Sequence, residues 1–161
     1  MLFVSDKLDL TMGGPSVKQF QFKDDHSPVY DYAQFDVASP AAYRRSIYRF
    51  VVRSVPDPMM DSLDCPDASL LTPKRNTTMT ALQALTVLNN PFVLKQCEHF
   101  AARLQKLAPD VPGQIDAAYR LALSRPPTLE EKERLAAYAS QHGLANACRV
   151  IFNSTEFMFV D

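Results

Sequence analysis

The sequence lacks most of the short motifs that announce a chemistry. It has no Cys-x-x-Cys-His, so it cannot attach haem in the c-type manner. It has no His-Glu-x-x-His, and its histidines, His26, His99 and His142, are too far apart to pair at helical spacing. It has no Gly-x-Ser-x-Gly elbow to raise the odds of a Ser–His–Asp triad. No apolar run reaches the ~18 residues that a membrane-crossing helix needs. The opening residues, Met1 to Leu10, carry Asp6, Lys7 and Asp9 and do not read as the apolar region of a signal peptide. A formal net charge of -1 lacks the basic excess of a nucleic-acid binder. Cysteine is scarce: Cys65, Cys97 and Cys148 are odd in number and widely spaced, which is no disulfide framework. Cys97 and Cys148 fall in apolar helical patterns and read as buried small hydrophobes, with a single disulfide as the minority reading.

What is present suits one domain. A chain of 161 residues with 47% apolar residues can bury a core, which argues against disorder. Residues 1–38 read as an irregular N-terminal arm. Gly13-Gly14-Pro15 marks a turn. Val17 to Phe22 alternates loosely and could pair with Tyr30, Tyr32 and Phe35 as a short β-hairpin. Residues 39–161 read as a helical domain. Ser39-Pro40 predicts a helix start, with a helix running to about Ser54 and Arg45, Arg49 and Arg53 stacked along one face. Pro56 and Pro58 stop it, and residues 55–78 read as a long loop. Thr80 and Asn90 predict the next two helix starts. Pro109 and Pro112-Gly113 end that unit, and Ile115 to Ser124 reads as another helix. Thr128-Leu129-Glu130-Glu131 is a capping box, and Gly143 closes its helix. Leu144 to Asn153 is the last, with Phe157, Met158 and Phe159 behind it. The expected fold is mainly α, a bundle of about five or six helices.

The polar residues between Arg44 and Arg75 are the candidate site. Arg44, Arg45, Arg49 and Arg53 come first, then Asp57, Asp61, Asp64 and Asp67, then Lys74 and Arg75. The arginines could hold a sulfated or carboxylated sugar, because the guanidinium fork fits oxyanions. The aspartates could bind a hard cation, although their spacing is not an EF-hand loop. The plainer reading is that four arginines clamp the four aspartates that follow, with Arg75 buried and anchoring the loop. Arg75-Asn76-Thr77-Thr78 before a helix could receive an anion, but Thr78 or Thr80 as a simple cap is the better reading. No residue is assigned a catalytic role, and none a metal.

Taken together, Leu8-Asp9-Leu10-Thr11-Met12-Gly13-Gly14-Pro15-Ser16, Arg44-Arg45-Ser46-Ile47-Tyr48, Gln83-Ala84-Leu85, Asn89-Asn90-Pro91, Ala118-Tyr119-Arg120-Leu121-Ala122-Leu123-Ser124-Arg125-Pro126-Pro127 and Phe152-Asn153-Ser154-Thr155-Glu156-Phe157 form an ordered set. The set resembles the C-terminal domain of unknown function of large exported proteins of Planctomycetes and related bacteria. Those proteins often carry a planctomycete-type cytochrome c domain upstream. Family domains extend further at the N-terminus, so the chain resembles their C-terminal part, and Thr72 stands where members often have cysteine. The resemblance implies a periplasmic or extracellular place, with the export signal and any haem c on an upstream domain. Loop-fixing polar residues without a recognisable nucleophile, acid–base pair or metal set read as a non-catalytic structural or interaction module, whose partners would be the upstream domains of the same protein, with no nucleic acid and no membrane span. The alternative is a polysaccharide-acting enzyme using Asp57, Asp61 or Asp64, or a sugar-binding domain using Arg75, Tyr30 and Tyr32. A chain lacking covered neighbours should also expose Leu2, Phe3, Val4, Leu8 and Leu10.

Overall fold

A computed structural model of the chain describes residues 1–24, 26–63 and 80–159. The fold is mainly α, with one short antiparallel hairpin among the described residues, as expected. Two compact units form: Met1–Lys7 with Val87–Asp161, and Leu8–Thr86. The expected arm is therefore divided, its first seven residues joining the helices and the remainder lying in the second unit.

The helical unit is built on α3 (Pro91–Leu107), α4 (Val111–Leu123), α5 (Leu129–His142), α6 (Leu144–Phe152) and α7 (Thr155–Met158). Their ends are set by local chemistry. The Asn90 side chain accepts from the Phe92 N–H, and Pro91 fills the first position, where no N–H is missed. Thr128 and Glu131 form the reciprocal capping box of α5. Gly143, at φ 90°, is the single residue joining α5 to α6, a backbone region that favours glycine. α4 starts earlier than expected. Asp110 accepts from the Gly113 N–H, so Pro112 and Gly113 lie in the first turn rather than ending the preceding unit.

The buried stripe of α3, Val93, Gln96, Cys97, Phe100, Ala101 and Leu104, follows the helical period and meets Ala147, Cys148, Ile151 and Phe152 of α6. Phe100 and Phe152 stack with ring centroids 5.4 Å apart, and Phe157 lies 4.8 Å from Phe152. The N-terminal residues dock on α3. Ser5 donates to the Gln96 side-chain carbonyl at 2.7 Å, and Arg103 donates to the Phe3 and Val4 carbonyls. Val4 is thereby buried, against expectation, whereas Phe3 and Leu10 are exposed and Leu2 and Leu8 intermediate.

In the second unit, β1 (Gln21–Lys23) pairs with β2 (Val29–Asp31), placing Phe22 opposite Tyr30. Phe20 is buried against Tyr30, Tyr32 and Phe50 with edge-on rings. The helix expected from Pro40 to Ser54 does not form. Two 3₁₀ turns, Pro40–Tyr43 and Ser46–Tyr48, are separated by extended backbone at Arg44 and Arg45. Ser39 makes no side-chain cap bond. The competing interaction is tertiary. The Asp9 N–H donates to the Tyr43 carbonyl, the Val17 N–H to the Tyr48 carbonyl, and the Phe50 N–H to the Val17 carbonyl. These parallel pairings occupy groups a helix would have used. Within the expected long loop, α1 (Pro58–Ser62) forms. α2 (Ala81–Asn89) starts with a reciprocal Thr80–Gln83 cap.

Phe100→Ala should lower unfolding free energy by about 3–5 kcal/mol, the cost of emptying a stacked core position. Phe3→Ala, at a side chain 71% exposed, should stay within about 0.5 kcal/mol. Urea unfolding of both variants checks the pair.

Candidate functional site

The second unit brings the candidate arginines onto its own backbone. Gly13 and Gly14 have φ of 79° and 80°, so the turn they form requires glycine. Its carbonyls converge on Arg44. The Arg44 guanidinium donates to Gly13 at 2.6 Å, to Pro15 at 3.1 Å and to Thr11 at 3.2 Å. The same guanidinium lies 3.8 Å from the Tyr48 ring centroid, with Arg45 at 5.6 Å. The Tyr48 hydroxyl accepts the Gly13 N–H at 2.8 Å. That bond, reinforced by the nearby Arg45 and Arg44 charges, holds the phenol below its ordinary range. Asp9 is held low by the Thr11 hydroxyl and N–H, then by Arg44.

Asp57 is likewise engaged. One oxygen accepts the Met59 and Met60 N–H groups and caps α1, while the other accepts from Arg49 at 3.0 Å. Both side chains of this pair are largely covered. Asp61 lies exposed in the first turn of α1, and Arg53 is exposed. Of the sequence-derived residues, the structure thus brings together Arg44 with Arg45 around Tyr48, and Arg49 with Asp57. It does not stack Arg45, Arg49 and Arg53 along one helix, because there is no helix. Asp64 and Arg75, with Asp67 and Lys74, lie outside the described residues. Among the described residues no group of three His, Cys, Asp or Glu side chains could hold a metal ion.

A second polar cluster, in the helical unit, was not singled out from sequence. Arg125 makes fork contacts with two carboxylates. It donates to both oxygens of Glu131, at 2.8 and 2.9 Å, and to both of Glu156, at 2.6 and 2.7 Å. It also donates to the Pro126 carbonyl and sits 5.3 Å from the Tyr119 ring centroid. Every N–H of the guanidinium has an acceptor. Arg125 thereby joins the start of α5 to α7 across the chain. The visible signals were the capping-box Glu131 and the family-like Arg125-Pro126-Pro127 and Glu156, but nothing local pairs residues 31 positions apart.

The Arg125 hydrogen bonds, then the Thr128 N–H, pull the Glu131 carboxyl down to about 2, and Arg125 also lowers Glu156. A depressed carboxyl contributes stability that is full above its unfolded value and lost as pH falls. The helical unit should therefore weaken between about pH 4.5 and pH 2. Arg125→Gln should flatten that acid limb in thermal melts across the range; a variant with the parent's acid profile would contradict the coupling.

For Asp57, Asn keeps the cap while removing the charge. Asp57→Ala should therefore cost about 1 kcal/mol more than Asp57→Asn. Chemical denaturation of the two variants reads the difference.

The described helices include none long and apolar enough to cross a membrane. No curated protein and no solved structure matches the chain. One family's sequence profile matches residues 1–139, most of the chain including the Gly13–Arg44–Tyr48 and Arg49–Asp57 contacts and the Arg125–Glu131 pair. The chain belongs to that family, PSD1, described as protein of unknown function (DUF1553).

Proposed function

We propose that the chain is a non-catalytic structural or interaction module of an exported multidomain protein of the planctomycete type. The observation that carries this reading is the engagement of three candidate ligand-binding side chains, Arg44, Arg49 and Asp57, in internal contacts. Arg44 holds three loop carbonyls, and Asp57 caps a helix while meeting Arg49. A glycosidase needs a carboxyl free to protonate a leaving group and a second facing it. Both oxygens of Asp57 already accept N–H groups. Guanidinium groups bound to backbone carbonyls are also poorly placed to receive a sulfated sugar.

The interaction half of the reading is supported by exposed apolar side chains. Leu10, Met12, Ile47 and Val51 are each at least 65% exposed, on or beside the segments paired through Asp9–Arg44 and Val17–Arg49. The partners in this reading are upstream domains of the same protein, in the periplasm or outside the cell. Any haem c belongs to such a domain, since the chain carries no attachment motif.

The test separates folding from turnover. Arg44→Ala and Asp57→Ala should each lower the melting midpoint by several degrees, as loss of a cap or a multiply bonded guanidinium does. The purified chain should release no reducing ends from neutral or sulfated polysaccharides above a protein-free blank. Turnover that is lost in Asp57→Asn while melting stays normal would overturn the reading in favour of an enzyme.

A further inference from the structure

Arg45 stands apart from its neighbours in the second unit. Arg44 gives its terminal N–H groups to three loop carbonyls, and Arg49 meets Asp57. Arg45 has neither kind of partner. Its Nε is buried without an acceptor, and among the described residues no carboxylate or carbonyl takes a hydrogen bond from its guanidinium. The group lies beside Tyr48 instead, 5.6 Å from the ring centroid, with Arg44 at 3.8 Å from the same ring. Asp9, whose backbone pairs beside Arg44, gives its carboxylate to the Thr11 N–H at 2.8 Å.

Donors thus gather at one place. The Tyr48 hydroxyl already accepts the Gly13 N–H at 2.8 Å, which leaves its own hydrogen to donate. Two positive charges on consecutive residues share one ring, and a carboxylate would relieve their repulsion. The surroundings are apolar and uncovered. Leu10 and Met12 flank Thr11, whose carbonyl Arg44 holds, and Ile47 precedes Tyr48; all three side chains are exposed.

We propose that Arg45 and Tyr48 anchor a docking surface for an acidic segment of a partner protein. One carboxylate of that segment accepts from the Arg45 guanidinium and the Tyr48 hydroxyl, and apolar side chains beside it cover Leu10, Met12 and Ile47. This rests on the module reading and gives its partner a chemistry. Charge complementarity selects the acid. The rim selects a protein over an acidic sugar, because Leu10, Met12 and Ile47 offer no donor to sugar hydroxyls. Arg44 also occupies part of the Tyr48 ring surface on which a sugar would lie. Arg and Tyr are the residue types that most often anchor protein interfaces, ringed by neighbours that exclude water.

The full chain serves as bait for a displayed library of random peptides, and each recovered peptide is synthesised and titrated. We expect peptides that carry Asp or Glu beside Leu, Ile, Val or Met. Changing that acid to its amide should weaken binding about tenfold or more, and so should Arg45→Gln. The two changes together should cost little more than either alone, as a direct pair requires. Arg45→Gln should melt like the parent, because the side chain holds no loop. Should it melt lower, Ile47→Ser carries the test: it should weaken the peptides without moving the melt, and unchanged affinity would sink the proposal. Recovery of no peptide, of peptides without an acid, or of acidic peptides that bind Arg45→Gln as well as the parent would each overturn it. Sodium alginate binding that Arg45→Gln abolishes, with no peptide recovered, would assign the surface to a sugar. Polysaccharide turnover lost in Asp57→Asn would end the module reading without changing these titrations, so the two failures are distinct.

Discussion

The α3–α6 face is the contact on which the helical unit depends. It holds the stacked rings of Phe100 and Phe152, with Leu104, Ile151 and the two thiols around them. α7 enters this packing through Phe157 against Phe152, and the N-terminal segment enters through Ser5 and Gln96 on α3. A stack of large rings is not divisible: moving one helix by a fraction of a turn breaks the ring contact and uncovers the neighbouring buried positions. The single-residue joint at Gly143 is part of the same constraint. It fixes where α6 starts relative to α5 and so where Cys148 and Phe152 can point.

The second unit relies on a different device. Its described residues form little regular structure, and its aromatic nest around Phe20 is small. Order comes from polar groups that accept or donate several times. Arg44 gathers three carbonyls, Tyr48 takes an N–H from the Gly-Gly turn, and Asp57 divides its oxygens between a cap and a guanidinium. Each neutralises backbone groups that a turn-rich chain would otherwise leave unpaired. Arg44, Arg49 and Asp57, which from sequence read as a clamp on the loop with ligand binding as the alternative, hold loops in three dimensions.

What was legible was local. The starts at Thr80, Asn90 and Thr128, the stop at Gly143 and the pairing of Phe22 with Tyr30 all depend on residues a few positions apart. What was not legible was decided at a distance. The segment from Pro40 to Ser54 has helical apolar spacing, yet residues 8–17 took its backbone groups. Pro112 and Gly113 look like breakers, and the Asp110 cap makes them a first turn. The ion pairing of Arg49 with Asp57 followed the expected clamp, while that of Arg125 with Glu156 had no local signal. Asp64 and Arg75, the remaining members of the candidate site, lie outside the described residues.

The docking of Met1–Lys7 on α3 has a consequence for biosynthesis. Ser5 leaves the ribosome long before Gln96, its partner 91 positions later. At ordinary synthesis rates the delay is on the order of 5–20 s. Throughout that time the apolar Val4, buried in the folded unit, has no α3 to cover it, while the whole of Leu8–Thr86 is being made. The order of translation is thus opposite to the order of packing in this unit. Met1–Lys7 are made before the whole of Leu8–Thr86 yet find their place only after it, and Val4 stays open to a chaperone for as long.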